Sequence, residues 1–556
     1  MADSLPFLDR FQKRLASRQS QQLILRTAGA VSAHSQPSKA EQPVLLFNAS
    51  TRIQGLSLNA AFQMLTGWSL RLSGVPVHHF LCESGLQPCV LGTNREDHTK
   101  SPPCKACLAQ SARIYTGAST RPFQFQANQE LSLAVDSLSV AELSQLQIPA
   151  RQAGLSLDQE IPLGSLVLPS VRWALRMHHL ENSQSNRYLL RQYILSAYRV
   201  LGEFASALQS VQPAAVLVFN GIMYPEAAAR WVSKALGFPT YAHEVGFQRN
   251  SAFFTEGQPT AYPMDIPEDF ELTEAENQRL DEYLAKRFQG QFSMAGIQFW
   301  PEMRRLDEEF LAKAAEFKQI VPVFTNVVYD TSQVHANVVF PHMFAWLDHV
   351  LEIIHRHPET LFVIRAHPDE MRPNSKKLSR ESVREWVKHN RLDQLDNVVF
   401  IDSQEYLSSY ELIQRSKFVI VYNSSIGLEA TLLGVCVLCG GKARYTQVPM
   451  VYFPDTPEAF DDQAEKFLSQ GLNSHSVDSI PAPDEYVRNA RRFLYYQLYR
   501  TSLPFGDFIE ASPRQGFVQL RRFNWEALLP ENSPTMQIIH DGLFNHQPFI
   551  LPRKSS

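Results

Sequence analysis

Short apolar runs alternate with stretches of helical spacing along this chain, and the alternation begins twice. The first series runs from Val44–Phe47 through a helical Leu58–Leu65 to Val75–Cys82, then resumes with Ala214–Asn220, a helical Pro225–Leu236 and Thr240–His243. The second starts at Val321–Val327 and continues through Phe344–His355, Leu361–Arg365, Ser379–His389, Val398–Ile401 and Glu405–Gln414 to Phe418–Tyr422. Apolar runs too short for a helix, separated by helical stretches, predict parallel strands with helices on both faces of a sheet. The expected class is therefore α/β, with two units of parallel sheet, the second of doubly wound type. Arg187–Leu208 has long helical spacing, and the charged helical stretches Leu272–Phe288 and Arg304–Lys318 suit a connection between lobes. From Pro457 onward the chain reads as helical, and its aromatic stretch Phe493–Tyr499 reads as core or interlobe packing. The expected domains are an N-terminal tail or helix over 1–40, a first lobe over 41–315, a second over 316–530 and a tail over 531–556.

A length of 556 residues allows roughly two to four domains. A formal net charge of -4 gives no electrostatic footprint for nucleic acid, so none is expected as a partner. The apolar runs fall far short of the roughly 20 residues that span a bilayer, and the N-terminus lacks the apolar core of a secretory signal. A cytoplasmic location is expected. Arg10, Lys13, Arg14 and Arg18 form a basic N-terminal face that suits either solvent or peripheral contact with an anionic membrane.

The stretch FVIVYNSSIGLEATLLGVCVL, Phe418 to Leu438, places Asn423, Ser424 and Ser425 where a strand hands over to a helix. Ligands of open α/β sheets sit outside such strand ends, and free N–H groups at a helix start favour an anion. A serine there also serves as a plain N-cap. Glu429, one turn into an otherwise apolar helix, needs a buried partner or a wet cleft, and a ribose diol would satisfy it. A second strand end, in FVIRAHPDE, delivers Arg365, His367 and Asp369 to the same edge, with Pro368 stiffening the chain. Both motifs should share one crevice and hold a phosphate.

Two further loops supply cleft candidates. TYAHEVGFQRN puts His243 and Glu244 at the end of a strand, with Glu244 the candidate general base, or else a cap or ion-pair carboxylate. FTNVVYDTS puts Asn326 and Asp330 after the second lobe's first strand, lining the crevice or forming a turn. No Asp-x-Asp motif stands in a strand context, so the sequence requires no catalytic metal. Cys82, Cys89, Cys104 and Cys107 have the spacing C-x6-C-x14-C-x2-C, which predicts a cysteine-rich insertion at about 82–107. It would hold a structural zinc, with an iron–sulfur cluster or four free thiols as the other readings. Cys436 and Cys439 read as buried small hydrophobes.

RAHPDE followed by YNSSIGLEATLLGVCVLCGGKARY resembles the C-terminal half of bacterial capsule polysaccharide biosynthesis proteins, best over Val321 to about Tyr445. The resemblance implies a glycosyltransferase with two facing Rossmann-like lobes, the GT-B architecture. Related CMP-sugar transferases hold the nucleotide phosphate with a His-Pro motif, matched by His367 and Pro368, and a Ser-Ser motif, matched by Ser424 and Ser425. Glu429 matches an acidic residue near the ribose or base. The expected reaction moves a sugar from a nucleotide-activated donor, CMP-linked on this analogy, to a surface or capsular glycan or a glycolipid at the inner face of the membrane. His367 and Glu244 are its expected catalytic residues. A sugar-nucleotide epimerase of the same fold and a non-catalytic glycan-assembly scaffold are the alternatives.

Overall fold

The computed structural model describes residues 5–36, 42–49, 55–124, 126–290, 293–294, 297–298, 303–372, 378–471, 479–513 and 516–553. Two sheets organise it. In the first, β1 (Val44–Asn48), β2 (Val77–Glu83), β3 (Ser119–Gln124), β4 (Ala215–Phe219) and β5 (Thr240–Val245) pair in parallel, and β6 (Ser251–Thr255) runs antiparallel to β5. In the second, β7 (Gln319–Phe324), β8 (Thr360–Arg365), β9 (Val398–Ile401), β10 (Val419–Val421) and β11 (Val437–Cys439) are all parallel, in the order β9-β8-β7-β10-β11. A late strand, β12 (Leu503–Pro504), pairs antiparallel with β6, so the first sheet has the order β12-β6-β5-β4-β1-β2-β3.

The continuous apolar character of the strands follows from burial on both faces. Val44 and Leu46 enter one core of the first lobe while Leu45 and Phe47 enter the other. The second sheet divides likewise, with Phe362 and Ile364 on one side and Leu361 and Val363 on the other. The helices around the sheets include α1 (Leu5–His34), α2 (Leu58–Leu72), α3 (Cys104–Ile114), α4 (Leu163–Leu175), α5 (Gln184–Val211), α6 (Tyr224–Ala235), α7 (Glu274–Phe288), α8 (Met343–Arg356), α9 (Ile426–Leu432) and α10 (Asp484–Tyr499). Ile24, Ala28 and Val31 bury the C-terminal part of α1 against the first lobe. The side chains of Arg10, Lys13 and Arg14 lie outside the described residues, and Arg18 is exposed. No described helix is long and apolar enough to cross a membrane.

Three features depart from the sequence reading. The segment after Glu83 contains α3 and β3, so the cysteines lie in the β2–α3–β3 crossover of the lobe itself rather than in the insertion expected at about 82–107. Strand β3 reads SerThrArgProPheGln, a polar edge strand with Pro122 inside it, which lacks the periodicity of a buried run. The chain also returns to the first lobe after α10, whereas the sequence reading carries the second lobe to 530. Leu503, Phe505, Ile509, Met536 and Leu543 all enter the first lobe's core.

Phe505 is fully buried, with its ring centroid 4.7 Å from that of Phe62 on α2. Phe505→Ala should therefore cost about 3–5 kcal/mol. Denaturant unfolding followed by hydrogen exchange should show the loss in the first lobe's strands; a loss confined to residues 319–439 would contradict the return of the chain.

Candidate functional site

In the second sheet the chain moves outward from β7 to β8 and β9, then reverses to β10 and β11, so β7 and β10 are neighbours at a topological switch point. Their carboxyl ends open a crevice, the usual ligand position in such sheets. Asn326 follows β7 and Asn423 follows β10, and the Asn326 amide donates to Asn423 Oδ1 at 2.5 Å. Gln333 donates to the same oxygen at 3.0 Å. These bonds fix the turn that carries Ser424 and Ser425.

Ser425 stands at the N-cap of α9, yet its side chain makes no capping hydrogen bond. Capping does not use this hydroxyl. The turn is held instead from below: Tyr445 donates its hydroxyl to the Ser424 carbonyl at 2.7 Å. That contact needs Gly427, because a Cβ there would lie 2.4 Å from the Tyr445 oxygen.

One cavity of about 700 Å3 lies over this turn, between the lobes, within the range usual for small-molecule sites. It gathers Arg365, His367, Pro368, Asp369, Asn423, Ser424, Ser425, Glu429, Asn326 and Asp330 from the second lobe, and Glu244 from the first. His367 Nδ1 accepts from the Asp369 backbone N–H at 3.1 Å, which leaves Nε2 as the donor nitrogen of the neutral ring. Burial lowers its pKa and favours that neutral form. Glu244 accepts from the Asn220 amide at 2.5 Å and from the Val245 N–H at 2.8 Å. Burial raises its pKa against the pull of these donors.

Several expected residues are committed elsewhere. Arg365 donates to the carbonyls of Asp402, Glu405 and Leu407, so its guanidinium pins the loop after β9 at the cavity wall. Glu429 is 4% exposed and accepts from Arg287 on α7 and from the Tyr410 hydroxyl, each at 2.5 Å. The partner expected of a ribose is supplied by the protein. For Arg287, burial pulls the pKa down and the Glu429 charge more than offsets it, leaving it raised. Asp330 is exposed and accepts from the Ser332 hydroxyl and N–H, the turn reading realised at the cavity rim.

His243 is a correction. Consecutive strand residues face opposite sides of a sheet, and with Glu244 in the cavity, His243 packs into the first lobe's core. It is 0% exposed, between the rings of Phe62, Phe219 and Phe254, and burial lowers its pKa to about 3.

Arg176 and Arg444 are among the cavity cations that the sequence reading missed. Arg176 caps α4 in the left-handed region, at φ 63, and its guanidinium lies 4.0 Å over Trp173 and 4.8 Å over Tyr329 of the other lobe. Its Nε and Nη1 have no hydrogen-bond partner among the described residues, and burial lowers its pKa to about 10. Arg444 lies over Phe247 at 4.7 Å, with Nε likewise unpartnered among those residues. No periodicity marks either arginine; the GGKARY segment containing Arg444 was the only visible signal.

At the lobe junction His178, His179 and His342 bring three ring nitrogens within 4.8 Å of one another. Their protons account for the cluster. The Ala345 N–H donates to His342 Nδ1, so His342 Nε2–H faces His179 Nε2 at 3.3 Å, and His179 Nδ1–H donates to Glu381.

The fold and cavity thus define a two-lobed α/β protein with an anion-suited cleft at a switch point. Residues 282–452 match the family model of the capsule polysaccharide biosynthesis protein, which contains the RAHPDE and YNSS segments. In three dimensions the chain is similar to the beta Kdo 2,4 transferase of Thermosulfurimonas dismutans KpsC, with 13% identity and a TM-score of 0.34 over 55% of this chain and 84% of that one. It is also similar to the beta Kdo 2,7 transferase of the same protein, with 15% identity and a TM-score of 0.31 over 62% and 89%. A UDP-GlcNAc 2-epimerase from Neisseria meningitidis bound to UDP-GlcNAc gives 16% identity and a TM-score of 0.26 over 57% and 83%. No curated protein matches the chain in sequence.

Glu429→Ala strands Arg287 as a buried charge and should cost about 3–5 kcal/mol in denaturant unfolding. A variant of unchanged stability would mean that the buried Arg287 does not need Glu429.

Proposed function

We propose that the cleft binds a nucleotide-activated sugar and transfers the sugar to a surface or capsular glycan, or to a glycolipid precursor of one. The observation that carries this reading is the convergence on one interlobe cavity of the serine turn, the His367 ring and the Arg176 guanidinium, whose Nε and Nη1 have no hydrogen-bond partner among the described residues. The family match over the same segment supports it. Hydroxyl, imidazole and guanidinium donors suit the phosphate of a leaving nucleotide, where charge grows in the transition state. CMP is the donor nucleotide we favour, from the His-Pro and Ser-Ser motifs.

In the proposed reaction the acceptor oxygen attacks the anomeric carbon, and the bond from that carbon to the phosphate oxygen breaks with its electron pair. Ser424, Ser425 and His367 Nε2–H stabilise the departing phosphate. Glu244 takes the acceptor's proton, a task that its raised pKa brings nearer to neutral pH. Asn220 and the Val245 N–H hold its carboxylate in place. No step in this scheme calls on a metal.

A thermal-shift panel of CMP, UDP, GDP and dTDP tests the binding step. A nucleotide that binds the native form raises the melting temperature, and Ser424→Ala and His367→Ala should each reduce that rise; a flat response to all four would remove the proposal. Donor supplied without acceptor should stay unconverted, because turnover of donor alone is epimerase behaviour.

The pH dependence follows from the sign of the Glu244 shift. A base works deprotonated, so a raised pKa moves the ascending limb of the rate to a pH above the ordinary carboxylate range. Glu244→Gln should abolish that limb and most of the rate while nucleotide still binds. A variant with an unaltered profile would assign the base elsewhere.

A further inference from the structure

The arginine that enters the cleft from the first lobe stands on backbone that the second lobe holds. Arg176 ends α4 at φ 63, in the left-handed region, where glycine is the usual occupant and an arginine stays only if its surroundings fix it. Its carbonyl accepts the Arg380 N–H at 2.8 Å. Two residues on, the His178 and His179 N–H groups both donate to one carboxylate oxygen of Glu381, at 2.7 and 3.0 Å, and His179 Nδ1–H donates to the other. We propose that Glu381 is a positioning residue for the donor phosphate: by clasping the backbone at His178 and His179 it sets the Arg176 guanidinium in the cleft, so that this cation is in place only while the lobes are docked. The inference rests on the reading of the cleft as a phosphate site and adds the residue that couples it to the lobe junction.

Glu381 stands on the second lobe just ahead of the helix Val383–His389, in a segment tied to the His367 loop. Glu370 donates its N–H to the His367 carbonyl at 3.0 Å, and its own carbonyl accepts the Ser379 N–H at 2.9 Å. The Glu370 carboxylate accepts the Val383 N–H at 2.8 Å, and Ser379 Oγ donates to the Glu381 carbonyl at 2.6 Å. Hydrogen bonds therefore run without a break from the His367 loop through Glu381 to the backbone that carries Arg176, and fix the two anion donors relative to each other across the lobe boundary.

The guanidinium itself is lightly held. It is flanked by the rings of Trp173 and Tyr329, and Nε and Nη1 have no hydrogen-bond partner among the described residues. With those nitrogens unpaired, the backbone it leaves from must do much of the aiming, and that is where Glu381 binds. The ion pair from Arg380 to Glu96 also crosses the junction, but the Glu96 side chain is 83% exposed and solvent screens it. The Glu381 side chain, at 22%, is the better shielded of the two and accepts three donors.

A double-mutant cycle on CMP binding to the full chain tests the coupling. Arg176→Ala and Glu381→Ala should each weaken CMP binding about tenfold. The double variant should bind no more weakly than Arg176→Ala alone, because Glu381 acts through Arg176. Glu381→Gln keeps an oxygen for both N–H groups and should bind CMP nearly as the unaltered protein does. Losses that multiply, a Gln variant as weak as the Ala variant, or CMP affinity unchanged in Glu381→Ala would each overturn the proposal. The place of the arginine is also read without nucleotide. Arg176 is 3% exposed, so phenylglyoxal should label it slowly in the unaltered protein. Labelling mapped by mass spectrometry should be several-fold faster in Glu381→Ala and in the milder Glu381→Asp, which withdraws the carboxylate by one methylene. Equal labelling rates would overturn the clasp whether or not CMP binds, so its failure is told apart from failure of the phosphate reading.

Discussion

The reversal of strand order between β7 and β10 is the constraint on which the candidate site rests. Two parallel neighbours whose connections leave in opposite directions cannot close their carboxyl ends with a shared helix, so the loops splay and a crevice remains. The amide bond from Asn326 to Asn423 ties the two loops across that crevice. Tyr445, fitted against Gly427, holds the serine turn from beneath. Donor groups then stand at the mouth without being spent on the helix end.

The second lobe supplies most of the polar lining, and the first closes it. Glu244 arrives at the end of β5 and Arg176 at the end of α4, where its guanidinium meets Tyr329 across the lobe boundary. The buried pair of Arg287 and Glu429 braces the floor by joining α7 to α9. A buried pair of this kind adds little net stability, but it costs heavily if either partner is removed. Its value here is positional.

Local pattern revealed the strands, because burial on both faces writes each one as an apolar run, and it revealed the strand-end motifs because those runs stop at polar residues. Asn423, Ser424, Ser425, His367 and Glu244 were legible on that ground. Contacts distant in sequence were not. Nothing around Glu429 announces Arg287, and nothing in the stretch after α10 announces that Leu503 pairs with β6. His243 and Glu244 are adjacent letters whose opposite fates are decided by which face of β5 each occupies. The polar edge strand β3 and the arginines Arg176 and Arg444 carry no periodic signal at all.

Hydrogen exchange read by mass spectrometry, with and without saturating nucleotide, addresses the cleft most directly. Anion binding at the serine turn predicts slowed exchange in peptides covering residues 423–429 and 366–369, with the β2–α3 crossover unaffected. Nucleotide that binds yet leaves both of those segments unprotected would contradict the site described above.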